Sequence, residues 1–266
     1  MANINTIQTF DLTGKVVLIT GGYGYLGKAA VESLTYHGAK VYVLGRSEKK
    51  FSDAFAENDQ KEKSIFFQQC DVAKTASISG AFRSIYEKEK KIDVLINNAF
   101  YLSGQDPLNM TDSDWETGID GTLNSVFRCI RECIPYLEKG KSSRIINVSS
   151  MYGVVAPDFD VYKDFPEMLN PPHYGAAKAG VVQLSKYYAA YLGEKGITVN
   201  TVIPGPFPSE TVQKKEKFIS MLKSRTLLKR IGKPEELAGA FIYLASEASG
   251  YMTGQSLIVD GGWTVE

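Results

Sequence analysis

Seven short runs of apolar, β-favouring residues recur along this chain: Val16–Thr20, Val41–Leu44, Ile65–Cys70, Val94–Asn97, Ile145–Val148, Thr198–Ile203 and Leu257–Asp260. They are continuous rather than alternating, and that constrains the fold most. A strand with one wet face alternates apolar and polar residues, whereas a strand covered on both faces does not. Between the runs, Leu26–His37, Thr75–Lys90, Ile119–Leu137, Tyr174–Gly193 and Pro234–Ser246 read as helices. Parallel neighbours need long crossovers, so this alternation predicts a doubly wound α/β fold, with about seven parallel strands and helices on both faces. No linker, repeat or low-complexity tract divides the sequence, and one domain over 1–266 is expected. Two long connections break the rhythm: 151–173, rich in Pro, Asp and aromatics, and 204–230, which carries the basic segment Lys214-Lys-Glu-Lys217. Connections of this length tend to be lids or binding loops, with a surface excursion or oligomer contact as the plainer reading.

The 266 residues hold 30 basic and 30 acidic side chains, a balance that argues against general nucleic-acid or membrane-surface binding. No apolar run approaches the ~18 residues of a spanning helix. The first residues lack the basic and apolar regions of a signal peptide. A cytoplasmic location is the expectation. Cys70, Cys129 and Cys133 form no Cys-x-x-Cys pair; they are read as buried packing, and no metal site is expected.

The first run leads through Thr20-Gly21-Gly22-Tyr23-Gly24-Tyr25-Leu26-Gly27 into a helix. Glycines at such a turn let backbone approach a pyrophosphate at the positive helix N-terminus. The second run ends Gly45-Arg46-Ser47. A carboxylate at this strand end suits a ribose 2′-hydroxyl, an arginine a 2′-phosphate. With Gly45 followed by Arg46, NADP is favoured over NAD.

Tyr174 and Lys178 lie four residues apart, one helical turn, so their side chains share a face. A neighbouring ammonium favours the phenolate and draws a tyrosine toward use as a base. The spacing recurs at Tyr36/Lys40, Tyr86/Lys90 and Tyr191/Lys195. What singles out the 174/178 pair is its company.

Together these segments resemble the short-chain dehydrogenase/reductase family over nearly the whole chain. The matching pieces are the glycine turn, Asp71-Val72, Asn97-Asn98-Ala99, Ser149-Ser150, Tyr174-x-x-x-Lys178, Pro204-Gly205 and the ending Thr253-Gly-Gln-Ser-Leu-Ile-Val-Asp-Gly-Gly262. The resemblance implies a Rossmann-type catalytic domain moving a hydride between nicotinamide and a carbonyl/secondary alcohol pair. It makes Tyr174 the general acid/base, Lys178 the group that lowers its pKa and holds the ribose, and Ser150 the donor that polarises the substrate oxygen. By the same resemblance Asp71 would contact the adenine, with Val72 beside it in the cofactor set. Gly21, Tyr23, Gly24, Tyr25, Leu26, Gly27, Arg46, Ser47, Asn98, Ala99, Pro204, Gly205, Phe207 and Ser209 complete the cofactor set. A homodimer or homotetramer, built on the apolar faces of Ile119–Leu137 and Tyr174–Gly193, is implied as well.

Three departures qualify the match. The spacing Thr-Gly-x-x-Gly-x-x-Gly is that of the family's extended, largely sugar-nucleotide branch; the main branch has glycine where Tyr25 stands. Seven residues after Trp115, Thr122 occupies the place of the usual relay asparagine, with Asn124 as a neighbouring alternative. Ser150 and Tyr174 are 24 positions apart, well beyond the main-branch separation. The extra residues, Val154–Pro172, are read evenly as shaping substrate choice or as local packing. A sugar or amino-sugar substrate is one expectation. Non-redox epimerisation or dehydration with bound cofactor is a second reading, and a dinucleotide sensor without catalysis a third.

Overall fold

A computed structural model describes residues 8–57 and 64–265. All seven expected strands form: β1 (Val16–Thr20), β2 (Lys40–Gly45), β3 (Ile65–Gln69), β4 (Val94–Asn97), β5 (Ser143–Val148), β6 (Ile197–Pro204) and β7 (Ser256–Val259). They pair in parallel in the order β3-β2-β1-β4-β5-β6-β7. The chain winds outward from β1 to β3, returns to β4 and winds out the other way. The reversal between β1 and β4 leaves a crevice at the carboxyl ends of the strands, where ligands of open α/β sheets bind.

The helices are α1 (Tyr25–Tyr36), α2 (Glu48–Ala54), α3 (Thr75–Glu89), α4 (Asp112–Ile119), α5 (Ser125–Leu137), α6 (Phe159–Tyr162), α7 (Pro172–Leu192), α8 (Glu210–Gln213), α9 (Glu216–Arg225) and α10 (Pro234–Ala245). Alternate residues of β1 serve the two faces. Val16 and Leu18 join a core with α3, α5 and α7; Val17 and Ile19 join one with α1, α2 and α10. Every residue of β1 is buried, which is why the run shows no polar alternation. Cys70, Cys129 and Cys133 are free and buried, as expected.

The expected helix from Ile119 begins earlier, at Asp112. Thr111 and Asp114 form a reciprocal capping box there. Between α4 and α5 the chain makes one π turn, Asp120–Asn124. Helix α2 and the helices of the two long connections lacked sufficient periodicity to be read. Among the described residues no helix is long and apolar enough to cross a membrane.

Candidate active site

The strand ends open onto a cleft of about 520 Å³. Of the residues singled out in the sequence, Gly21, Tyr23, Gly24, Tyr25, Leu26, Gly27, Arg46, Asp71, Val72, Asn98, Ala99, Ser150, Tyr174, Lys178, Pro204, Gly205, Phe207 and Ser209 line it. Ser47 and Thr122 do not. Phe100, Tyr101 and Lys50 line it unannounced.

The glycine turn is a backbone cradle. Gly21 has φ +64°, which side chains rarely adopt, and a Cβ there would lie 3.1 Å from the Ala99 Cα. Asn98 supports the cradle from behind: its Nδ2 donates to the carbonyls of Thr20 and Gly21, both at 3.1 Å. The backbone N–H groups of Asn98 and Ala99 donate to Thr20 Oγ1 at 3.0 Å. Gly24 precedes α1 without a side-chain cap, so the first-turn N–H groups stay available for an anion. Close backbone approach, an uncapped helix N-terminus and a groove reaching β3 fit the pyrophosphate of a dinucleotide.

At the end of β2, Tyr23 occupies the space a side chain at 45 would need; a Gly45 Cβ would lie 2.3 Å from its ring. The Arg46 N–H donates to Tyr23 Oη at 3.2 Å. Ser47, expected at the cofactor, instead accepts from the Lys50 N–H at 3.2 Å and caps α2. That capping brings Lys50 round beside Arg46 on the cleft wall. Two cations one helical turn apart after β2 were the available signal for Lys50.

The chemical corner lies at the other end. Helix α7 opens with Pro172 at its first position, which sets Tyr174 and Lys178 one turn apart against β5. Ser150 hydrogen-bonds the Tyr174 phenol and accepts from the Tyr152 N–H at 3.2 Å. Lys178 is 3% exposed, and its Nζ donates to the Val148 carbonyl at 2.8 Å. A Cβ on Gly153 would lie 2.8 Å from the Lys178 carbonyl carbon, so the turn after Ser150 touches α7 only because Gly153 has none. Phe100 packs its ring 5.7 Å from that of Tyr174 and 5.2 Å from Lys178 Nζ, within cation–π range. An apolar residue directly after the Asn-Asn-Ala strand end was its signal.

Electrostatics correct one expectation. Lys178 was expected to pull Tyr174 down, but burial dominates and holds the phenol above its ordinary value, with the Ser150 hydrogen bond opposing. Burial brings the Lys178 ammonium down to about 7. Each shift reflects the cost of a charge in a poorly solvated site.

Thr122 sits in the π turn, buried, with an Oγ1 that has no hydrogen-bond partner among the described residues. Asn124 does not stand in for it: it is exposed and donates to Asp120 Oδ1 at 3.2 Å. The turn is clamped by Asp120, which accepts from Tyr101 Oη and from both terminal nitrogens of Arg128, at 2.8 and 3.0 Å. Arg128 Nε reaches the Val72 carbonyl at 3.1 Å. Its guanidinium holds the Asp120 carboxyl at about 2.

The 151–173 insert packs as well as borders. Met151, Tyr152, Val161 and Tyr162 form one apolar cluster with Phe218, Ile219 and Leu222 of α9 and with Trp263. Lys215 pairs with Glu167, Lys217 with Asp164 at 2.7 Å and Arg225 with Asp158 at 2.8 Å. Two lysines of the basic segment, Lys215 and Lys217, are therefore matched by the insert's carboxylates. His173 is buried, its Nε2 2.8 Å from the Ser103 carbonyl and its ring against Gly118, so it serves packing between α4 and α7.

A doubly wound sheet with a dinucleotide cradle at its switch point and a serine–tyrosine–lysine corner beside it defines a nicotinamide-dependent oxidoreductase. A family model described as enoyl-(acyl carrier protein) reductase matches residues 25–264, and the chain belongs to the short-chain dehydrogenase/reductase family. It is 32% identical to the 3-oxoacyl-[acyl-carrier-protein] reductase FabG of Thermotoga maritima over 257 residues, 96% of this chain and 99% of that protein. It superposes with a TM-score of 0.87 at 28% identity on a gluconate 5-dehydrogenase from Burkholderia cenocepacia in complex with NADP and tartrate, covering 98% and 99% of the two chains. A short-chain dehydrogenase from Leptospira borgpetersenii with bound NAD+ gives 0.84 at 31% identity, covering 96% and 95%.

Proposed function

We propose that this enzyme uses NADP(H) to interconvert a small, sugar-derived ketone and its secondary alcohol. One observation carries the reading: the Ser150 and Tyr174 hydroxyls are hydrogen-bonded to each other beside a buried Lys178, at the end of a groove shaped for a dinucleotide. When bound there, the nicotinamide supplies the hydride. The protein supplies the rest. Ser150 and Tyr174 present two O–H donors where the substrate oxygen gathers negative charge, and Tyr174 gives up its proton to that oxygen. A phenol held above its ordinary value is protonated at neutral pH, which suits carbonyl reduction. Lys178 holds a proton behind it and offers donors to the ribose.

A small polar substrate is supported by the insert, whose carboxylates engage Lys215, Lys217 and Arg225, leaving those three cations matched rather than turned to a phosphate. It is also consistent with the gluconate 5-dehydrogenase likeness. A panel of keto sugars, simple ketones and 3-oxoacyl thioesters, followed by loss of NADPH absorbance, tests this. Turnover of keto sugars is the expected result; turnover confined to the acyl thioesters sinks the substrate reading.

The NADP preference rests on Arg46 and Lys50 together at the end of β2, with no carboxylate at Gly45. Arg46→Ala should weaken NADPH binding roughly ten- to hundredfold, the scale of a lost charge-assisted contact, and leave NADH nearly unchanged. Equal losses for both cofactors, measured by fluorescence titration, remove the preference.

A further inference from the structure

We propose that Tyr25 and Gln213 form a strap that ties the lid across the dinucleotide groove and slows release of the cofactor. The inference rests on the dinucleotide reading of the groove and goes beyond it, to how long the cofactor stays.

Tyr25 is the first residue of α1 and lines the cleft where an anion would meet the helix N-terminus. Gln213 ends α8, the helix that follows the cleft-lining residues Gly205, Phe207 and Ser209. Gln213 Nε2 donates to Tyr25 Oη at 3.0 Å and to the Pro208 carbonyl at 2.9 Å. The amide is thus held in one orientation by its own loop while it binds the phenol. The bond joins two segments 188 positions apart, one on each side of the groove. A glycine at 25 has no side chain to span that gap.

The lid is also anchored on its far side. Beyond α8, helix α9 is fixed to the insert by the Phe218 cluster and by the pairs from Lys217 and Arg225. The segment leaving β6 is therefore restrained at both ends: by the glycine turn at one and by the insert at the other. Opening it far enough to free a pyrophosphate breaks the Tyr25–Gln213 bond, because the insert contacts resist the alternative of swinging the whole lid away. Two of the three features that set this chain apart from the main branch, Tyr25 and the insert, then act on one segment.

Stopped-flow displacement of NADPH, read by its fluorescence, tests the strap in the full-length enzyme. Gln213→Leu and Tyr25→Phe should each raise the NADPH dissociation rate roughly three- to tenfold, the range of one neutral hydrogen bond. The double variant should be no faster than the quicker single one, since both remove the same bond. Tyr25→Phe keeps the ring, so circular dichroism should match the parent. Unchanged rates in both single variants, or effects that multiply in the double, overturn the strap while NADPH binding itself stands. A parent enzyme that binds neither NADPH nor NADH overturns the dinucleotide reading first.

Discussion

Tyr174→Phe should lower kcat by roughly two to four orders of magnitude, the usual worth of a positioned proton donor, and leave the NADPH dissociation constant within about twofold. The substitution removes one oxygen and keeps the ring. That ring still packs on Phe100, and α7 keeps its approach to β5, so the effect reads the phenol alone. Two features make the loss large. Tyr174 is one of two hydroxyls at the corner, and Ser150 is already bonded to it, so deletion also leaves Ser150 without its partner. Two neighbouring proton donors are engaged elsewhere: His173 points to the Ser103 carbonyl, and Tyr152 is buried against Tyr162. Burial favours the protonated phenol, so the corner is poised to donate at neutral pH. Steady-state kinetics beside a fluorescence titration gives the answer; a variant turning over at the parent's rate displaces Tyr174 from the chemistry.

Four Tyr-x-x-x-Lys pairs looked alike in sequence, and the fold separates them on physical grounds. Tyr36 is exposed, and Lys40 pairs with Glu89 at 2.8 Å. Tyr86 stacks near Tyr136 under Lys139. Tyr191 is exposed, with Lys195 held by Glu138 at 2.5 Å. Only the 174/178 pair faces a strand end. The five inner strands were legible because burial on both faces writes an unbroken apolar run; the edge strands β3 and β7 are only partly buried. The glycine turn was legible because backbone contact demands missing side chains. Ser47 was harder to read, because capping a following helix and touching a ligand call for the same residue type, and here it caps α2. The insert's ion pairs were not legible at all: which lysine meets which carboxylate depends on two loops approaching in space, which no local spacing encodes. The π turn at Asp120–Asn124 was hidden likewise, since it depends on Gly121 seating against Tyr101, where a Cβ would lie 2.0 Å from the carbonyl oxygen.

Gly27→Ala should produce the converse of the tyrosine variant, a failure of cofactor binding and of stability. A Cβ at 27 would lie 2.6 Å from the Gly21 carbonyl oxygen, 2.9 Å from the Gly22 Cα and 2.9 Å from Asn98 Nδ2. Two of these are backbone atoms, so the clash is not relieved by turning a side chain. Helix α1 must move away from the turn, and the Asn98 bonds to Thr20 and Gly21 loosen with it. Overpacking of this kind costs about 1–3 kcal/mol, which for a chain of this size lowers Tm by roughly 2–12 °C. The cradle loses its shape in the same movement, so NADPH affinity should fall at least about tenfold by the scale of one lost hydrogen-bonding group at a ligand. Gly80→Ala is the matched control. It lies within α3, and a Cβ there meets nothing within 4 Å. Replacing a helical glycine by alanine stabilises by about 0.5–1 kcal/mol, so Tm should hold or rise slightly and NADPH binding stay as it was. Thermal melts and titrations on the two variants decide the matter: if Gly27→Ala behaves like Gly80→Ala, the turn tolerates a side chain, and close backbone packing is not what shapes the cradle.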